Sequence, residues 1–580
     1  MRRFLPTAAA FVTLLFGTLA LAQSQPQLSS TLRGIPPVTG ILAHHGMVVV
    51  QESLAAQIGV EILDRGGNAV DAAVAVGFAM AVTYPRAGNL GGGGFMVIHL
   101  ARNSKSGNRD IAIDYRETAP AAATPTMFLD AQGNPDPKKS RDSGLSVGVP
   151  GTVAGLVLAE EKYGSGTLSL ADLIAPAINL AQSGVPIEDD LADSLPQSQA
   201  RLARWSSTRS IFFNGDRPMQ EGDRLIQLDL ADTLRAVAQR GDDGFYKGDV
   251  ADNIVRAVRG AGGIMTKEDL ADYRAVERPV VRGTYRGYGI VSMPPPSSGG
   301  VHLIEMLNIL EGYDLAKMGR SAEALHLEIE AMRRAYADRA VYMGDPDSVK
   351  MPIAALTSKS YAAQLRAGIT DNATPSAEVH AGTPHDTEGR NTTHFSIVDK
   401  DGNAVSNTYT LNFSYGLGLV ADGTGVLLNN ELDDFTAKPG TANAYGLVGY
   451  GANLPGPGKR PLSSMTPTIV LKDGKPFLIT GSPGGSRIIT AVLQVIVNAI
   501  DFHMPIDKAV EAPRLHHQWQ PDVVYAEPGF PPDVLAGLKA RGYTIVPTAP
   551  HTSANSIEVT PQGYVGAADS RTRGALAAGY

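Results

Sequence analysis

Apart from Asp71, every residue from Ala69 to Val82 is apolar or glycine. A helix at a protein surface shows an apolar stripe, whereas one that is apolar all round must be covered on all sides. The run is short for a bilayer span, carries a charge, and lies between Gly67 and Pro85. It therefore predicts an interior helix wedged between layers of structure. Only a large fold can enclose such a helix. The chain, with 580 residues of which 43% are hydrophobic and 19% charged, has the composition of a soluble protein with an ample core.

The surrounding pattern fits layers. Ser53 is expected to cap a helix running to Asp64, which Gly66-Gly67 ends. Phe95 to Leu100 and Asp110 to Tyr115 read as strands flanking a polar Asn-Ser-Lys-Ser-Gly turn. Leu168 to Ser183, Leu230 to Gln239 and Ala322 to Ala340 have helical spacing, and Pro294 to Gly300 reads as a rigid loop before another helix. In the last third, strand pairs turn at Asp401-Gly402, Asp473-Gly474 and Gln562-Gly563. Helical patterns at Arg487 to Phe502 and Pro532 to Arg541 separate them. Hairpins with segregated helices predict an α+β fold of stacked sheets covered by helices. No repeat of solenoid length interrupts this pattern.

Arg2-Arg3, an apolar stretch to Leu21 and small residues at Ala20 and Ala22 have the three regions of a secretory signal peptide over residues 1–22. The bacterial periplasm or the external medium is the expected location. A formal charge of −8 without blocks of like charge argues against nucleic-acid or membrane-surface partners. With no cysteine, the fold has to be stable without disulfides.

Asn391-Thr392-Thr393-His394-Phe395-Ser396 places two threonines at the head of a strand, after a segment from Asp371 to Arg390 that reads as a mobile loop. A threonine hydroxyl becomes a useful nucleophile when a base lies beside it, and an N-terminal threonine carries that base as its own α-amine. An internal threonine gains the amine only if the preceding peptide bond is cut. Taken alone, the pair reads as ordinary β-branched strand residues.

Four further runs stand in order behind it: Thr408 to Asn412, Asn429 to Phe435, Lys459 to Met465 and Gly481 to Arg487. Ahead of it lie Gly66 to Ala73, Gly91 to Gly94, Asp114 to Pro120 and Ala337-Asp338-Arg339. In this order and spacing the chain closely resembles the γ-glutamyltransferases (γ-glutamyltranspeptidases), N-terminal nucleophile hydrolases that cleave themselves to expose a threonine. The resemblance covers nearly the whole mature chain.

It implies a four-layer αββα sandwich of the N-terminal nucleophile hydrolase type, cut between Asn391 and Thr392. The large subunit would be residues 23–391 and the small subunit residues 392–580, together forming one composite domain. Thr392 would be the nucleophile, with Thr410 and Asn412 orienting its hydroxyl and Gly484-Gly485 supplying oxyanion donors. Arg116 would take the donor's α-carboxylate, completed by Ser463 and Ser464, while Glu431 and Asp434 would face its α-ammonium. Lys438 to Gly449 resembles a lid with Tyr445 as its cover. Gly91 to Gly94 is expected to allow close backbone packing, since no Gly-Lys-Ser/Thr follows to make a phosphate cradle.

The implied donors are glutathione and related γ-glutamyl compounds, with water, amino acids or peptides as acceptors. The histidines, among them His44-His45 and His516-His517, lack metal-ligand spacing, and no metal or cofactor is expected. Two alternatives remain at this stage. One is a cephalosporin or glutaryl acylase on the same scaffold, which would need a different ammonium pocket. The other is an uncleaved, non-catalytic binding protein.

Overall fold

The computed structural model describes residues 37–101, 109–380 and 392–580. The expected leader, the Asn-Ser-Lys-Ser-Gly turn, the end of the loop before Thr392 and Asn391 itself lie outside the described residues. Fourteen strands build two seven-stranded sheets: β1 (Ile41–Ala43), β2 (Met47–Val50), β3 (Gly93–Leu100), β4 (Arg109–Tyr115), β5 (Val276–Arg278), β6 (Val281–Tyr285), β7 (Tyr288–Ser292), β8 (Thr393–Val398), β9 (Ala404–Thr410), β10 (Thr468–Lys472), β11 (Lys475–Thr480), β12 (Ser556–Thr560), β13 (Gly563–Ala567) and β14 (Leu576–Gly579). One sheet runs β14-β2-β8-β9-β3-β4-β5 and the other β1-β13-β12-β11-β10-β7-β6, with every pairing antiparallel. Strands from both sides of residue 391 pair within each sheet, so neither part of the chain forms a core alone.

Outside the first sheet pack α1 (Ser53–Asp64), α2 (Ala69–Thr83), α3 (Thr152–Tyr163), α4 (Leu170–Ser183) and α5 (Leu228–Arg240). Outside the second pack α6 (Gly299–Leu310), α7 (Ala322–Tyr342) and α8 (Ile488–Ile500), with α9 (Pro532–Ala540) beside α7. The order helix, sheet, sheet, helix is the αββα sandwich.

The apolar run forms α2, and all of its residues are buried. Its one charge has a local task. Asn68 caps the helix by accepting from the N–H groups of Val70 and Asp71, and the Asp71 carboxylate accepts from Asn68 N at 2.8 Å. This reciprocal box starts the helix where the sequence turns apolar. The expectation for α1 needs correction. Ser53 is its first residue, and Glu52 is the cap, accepting from Leu54 N and Ala55 N at 2.9 Å each. A glutamate can bend back over the first turn in this way, although shorter side chains are the usual caps.

The three Gly-bearing hairpins form as expected, as β8–β9, β10–β11 and β12–β13. The glycine run also behaves as expected: a Cβ on Gly92 would collide with the carbonyl oxygen of Thr410, and one on Gly94 with Tyr409. Their absence lets β3 lie against the end of β9. Among the described residues no helix is long and apolar enough to cross a membrane.

Candidate active site

Register places Thr392. In the β8–β9 pair Thr393 faces Tyr409, so Thr392 comes opposite Thr410 at the end of both strands. The two hydroxyl oxygens are 3.5 Å apart, and Thr392 is buried. Thr410 Oγ1 accepts from Asn412 N at 2.9 Å. Asn412 takes a left-handed φ of 73°, a conformation asparagine adopts more readily than most residues. Its amide Nδ2 donates to Asn430 O at 2.9 Å, tying the end of β9 to the acidic run that follows.

Arg116 leaves the end of β4 fully buried. Its backbone N–H donates to Asp114 Oδ1 at 3.0 Å, its Nε to Pro461 O at 3.1 Å, and its carbonyl accepts from Tyr273 OH at 2.8 Å. The guanidinium pairs with two of the expected partners of the substrate, through Nη1 to Glu431 and through Nη2 to Asp434 at 2.6 Å. Burial opposes its charge, but Glu431 and Asp434 outweigh that and raise its pKa. Burial raises both acids, and Arg116 pulls each back down. The groups expected to bind a zwitterion thus pair with one another.

Ser463 and Ser464 form the opposite wall. Ser463 N donates to Pro296 O at 2.9 Å, and Ser298 N and Oγ donate to Ser463 O, so the Pro-Ser-Gly loop is the support of this run. Ser464 Oγ accepts from Arg339 Nη2 at 3.0 Å, while Arg339 Nε donates to Ser298 Oγ at 2.9 Å. Burial lowers Arg339 to about 10, which leaves it charged at neutral pH, and Asp434 is the carboxylate that acts on it. The resemblance marked Ala337-Asp338-Arg339 without giving it a role, and the structure brings Arg339 to the serine pair.

Lys438 to Gly449 forms a small hairpin, Thr441–Ala442 against Val448–Gly449. At its tip Tyr445 is buried; its hydroxyl donates to the Asn412 carbonyl at 2.9 Å and contacts Oδ1 of the same residue. A Cβ on Gly485 would run into the Tyr445 ring, and Gly485 has a φ of 55°, so glycine is needed there on both counts. Gly484 is set back: a Cβ on it would meet Thr552 at 2.7 Å, and it does not line the cavity.

One cavity gathers Arg116, Thr392, Thr410, Asn412, Glu431, Asp434, Tyr445, Ser463, Ser464 and Gly485. The sequence reading missed Leu447, Met465, Ser486 and Ile488, which supply further lining. It also missed the polar seam beneath Thr392. There, His394 Nδ1 meets Thr408 Oγ1 at 2.9 Å and Nε2 meets Ser396 Oγ at 3.0 Å. Polar residues two apart, His394 and Ser396 in β8 and Ser406, Thr408 and Thr410 in β9, were the available signal. Chemically, the cavity offers a hydroxyl at a strand head, a glycine turn, and a cation flanked by acids.

Comparison with known proteins agrees with this geometry. The family model described as gamma-glutamyltranspeptidase matches residues 55–579. The glutathione hydrolase proenzyme of Escherichia coli strain K12 is 51% identical over 577 residues, covering 98% of both chains. Among solved structures, cephalosporin acylase from Bacillus halodurans superposes with a TM-score of 0.81 at 28% identity, covering 96% of this chain and 98% of that one. Helicobacter pylori gamma-glutamyltranspeptidase gives a TM-score of 0.55 at 49% identity, covering 58% of this chain and 96% of the matched chain.

Proposed function

The chain belongs to the γ-glutamyltranspeptidase family, and from that premise we propose that it is a secreted, self-processed γ-glutamyltransferase. The observation that carries this reading is Thr392 at a strand head in one cavity with Arg116, Glu431 and Asp434.

In maturation, Thr392 Oγ attacks the Asn391 carbonyl carbon. The peptide C–N bond breaks as the acyl group moves from nitrogen to oxygen, and water opens the resulting ester. This frees the Thr392 α-amine, whose reference pKa of about 8 suits it to accept the Oγ proton near neutrality. Thr410 and Asn412 hold the hydroxyl. Residues 23–391 and 392–580 remain together because each sheet is built from strands of both.

In turnover, the donor's α-carboxylate takes the planar fork of Arg116, with Ser463 and Ser464 beside it. Glu431 and Asp434 then face the α-ammonium. The exchange replaces internal ion pairs with pairs to the donor, so a γ-glutamyl zwitterion leaves no buried charge alone. A glutaryl group has no ammonium and would leave Asp434 without a cation. This favours the transferase over the acylase reading. The γ-carbonyl oxygen points to the Gly484-Gly485 turn, where backbone N–H groups stabilise the oxyanion. Thr392 keeps the γ-glutamyl group as an ester, and water or the amine of an amino acid or peptide removes it. Glutathione and related compounds are the donors, and the leader directs the chain to the periplasm or the medium.

The test is a denaturing gel with N-terminal sequencing of the purified protein. Two pieces are expected, the smaller beginning Thr-Thr-His-Phe-Ser, with release of glutamate from glutathione. Thr392→Ala should stay one inactive chain, and cleavage of that variant at the same bond would overturn the mechanism.

A further inference from the structure

Glu117 follows Arg116 and takes no part in the chemistry above. It is fully buried, with its carboxylate 3.8 Å from Arg116 Nη1, which is beyond hydrogen-bond reach. Neither of its oxygens has a hydrogen-bond partner. Backbone closes in around it: a Cβ on Gly93 would stand 2.7 Å from Oε2, and one on Gly148 2.7 Å from Glu117 Cβ and 3.1 Å from Leu432. The titratable groups acting on it or feeling it are Arg116, Arg460, Glu431, Asp434, Tyr115 and Tyr273.

Three carboxylates therefore surround the Arg116 guanidinium, and only two of them touch it. Glu431 and Asp434 hold its Nη atoms, whereas Glu117 stands behind. Were all three ionised, they would outnumber Arg116 and Arg339, the cations facing them, before a donor brought a further carboxylate; Arg460, which also acts on Glu117, is already paired with Asp114. A buried carboxylate without donors is costly, and the group avoids that cost by keeping its proton. Burial raises Glu431 too, but Glu431 hydrogen-bonds Arg116 directly, so the proton belongs on Glu117, the one acid of the three with no hydrogen bond to that cation.

We propose that Glu117 is a positioning residue for donor recognition: it stands behind Arg116 as a neutral acid, leaving the guanidinium's charge to the donor's α-carboxylate. Its ionisation turns the Arg116–Glu117 pair from a net cation into a neutral pair and weakens the hold on the donor. This rests on the role given to Arg116 above. Burial pushes Glu117 up to about 8, so the change falls just above neutral pH.

The test compares KM for a γ-glutamyl anilide between pH 7 and 9 in processed wild type and Glu117→Gln. In wild type, KM should rise roughly tenfold over that range, the factor for one pH unit past a titration. The Gln variant should lack this rise and hold the donor roughly tenfold more tightly than wild type at pH 9. Titration of the donor ammonium and of the Thr392 amine is common to both proteins and cancels in the comparison. Glu117→Met, similar in length and unable to ionise, should reproduce the flat profile and stands in if the Gln variant fails to mature. In wild type alone, a donor lacking the α-carboxylate should show no such rise, and an equal rise for both donors overturns the proposal. Parallel profiles in active wild type and variant overturn this inference alone. A wild type that turns over no γ-glutamyl donor overturns the functional reading beneath it.

Discussion

The helices α2 and α7 are both buried, α2 against β8 and β9 and between α1 and α4, α7 between α6 and α9, yet they are made of opposite materials. All of α2 is buried, and its one charge closes its own first turn. From Ala324 to Ala340, α7 is equally buried while carrying Glu328, Glu330, Arg333, Arg334, Asp338 and Arg339. Most of these charges meet directional partners, although Glu328 Oε2 meets none. Arg334 Nη1 donates to Glu330 Oε2 at 2.6 Å, Arg333 pairs with Glu330 and Asp522, and Asp338 accepts from Tyr361 OH at 2.7 Å. Tyr336 OH donates to Ser486 O and Arg339 to Ser464 Oγ, and both serines line the catalytic cavity. Excluding water is enough to hold α2, and many side chains could do it. By contrast, α7 is held by particular atoms, and through them it positions the wall of the active site.

The largest effects should come from cutting each helix in its own terms. Phe78→Ala in α2 opens a cavity and should cost about 3–5 kcal/mol. Glu330→Ala in α7 leaves Arg333 and Arg334 buried without their shared acid and should cost about the same. Restoring volume separates them. Phe78→Leu should recover most of the loss, whereas Glu330→Met should recover little, because volume does not neutralise an arginine. Thermal midpoints on the uncut Thr392→Ala background check this. A Glu330→Met protein as stable as its parent would break the distinction.

Arg339→Met comes next. Removing the donor to Ser464 and the cation facing Asp434 should lower kcat/KM for γ-glutamyl donors by about a hundredfold, the ~3 kcal/mol typical of losing one member of a buried charged set. Phe78→Leu should leave kcat/KM per folded molecule near the parent value. Steady-state kinetics on processed protein distinguish the two, and equal losses would mean that α7 has no special link to the site.

The contrast also marks what the sequence could reveal. A helix like α2 announces itself, since an unbroken apolar run has one physical reading, and the Asp-Gly and Gln-Gly turns announced three hairpins. The helical spacing of α7 was legible, but its burial was not. Its partners Asp522, Ser464 and Tyr361 are remote or in other elements, and a charge-rich helix ordinarily faces water. Thr392, Arg116, Asp434 and the serine pair were legible only through motifs carried by the resemblance. The mutual pairing of Arg116 with Glu431 and Asp434 was not foreseen, because each had been assigned to a substrate group. Glu117 gave no signal apart from standing beside Arg116.

A smaller effect concerns pH. Burial raises Glu328 and Asp338 of α7 to about 7 and Glu305 of the neighbouring α6 to about 8. In the unfolded chain these acids lose their protons near pH 4, so as pH rises toward 7 or 8 only the folded state still binds them. Stability is therefore lost with rising pH up to the folded values, by at most ~1.4 kcal/mol per unit for each group. Buried histidines act in the opposite direction: His302 and His394 fall to about 3 and His517 to about 4, and their contribution is lost only as pH drops below about 6.5. Between pH 6.5 and 8 the acids act unopposed by these histidines. The midpoint should fall across that window, and Glu305→Gln should flatten the fall by up to one group's share. A slope unchanged in Glu305→Gln would remove that carboxyl as a source.

The smallest effect belongs to the one charged side chain in α2. Asp71 accepts from Asn68 N at 2.8 Å and from Ser165 N at 3.0 Å, so its carboxylate joins the start of α2 to the loop after α3. Asp71→Asn keeps one acceptor oxygen at the same place and removes the negative charge near the helix N-terminus. The capping contact can persist through that oxygen, while the favourable interaction with the helix dipole is lost, which is worth about 0.3–1 kcal/mol. The midpoint should drop only slightly, and processing and kcat/KM should match the parent, because no atom of Asp71 reaches the cavity. A loss of about 3 kcal/mol or more would be the size expected for an orphaned buried charge partner. It would mean that α2 depends on a specific polar contact as α7 does, and that its apolar composition alone does not hold it in place.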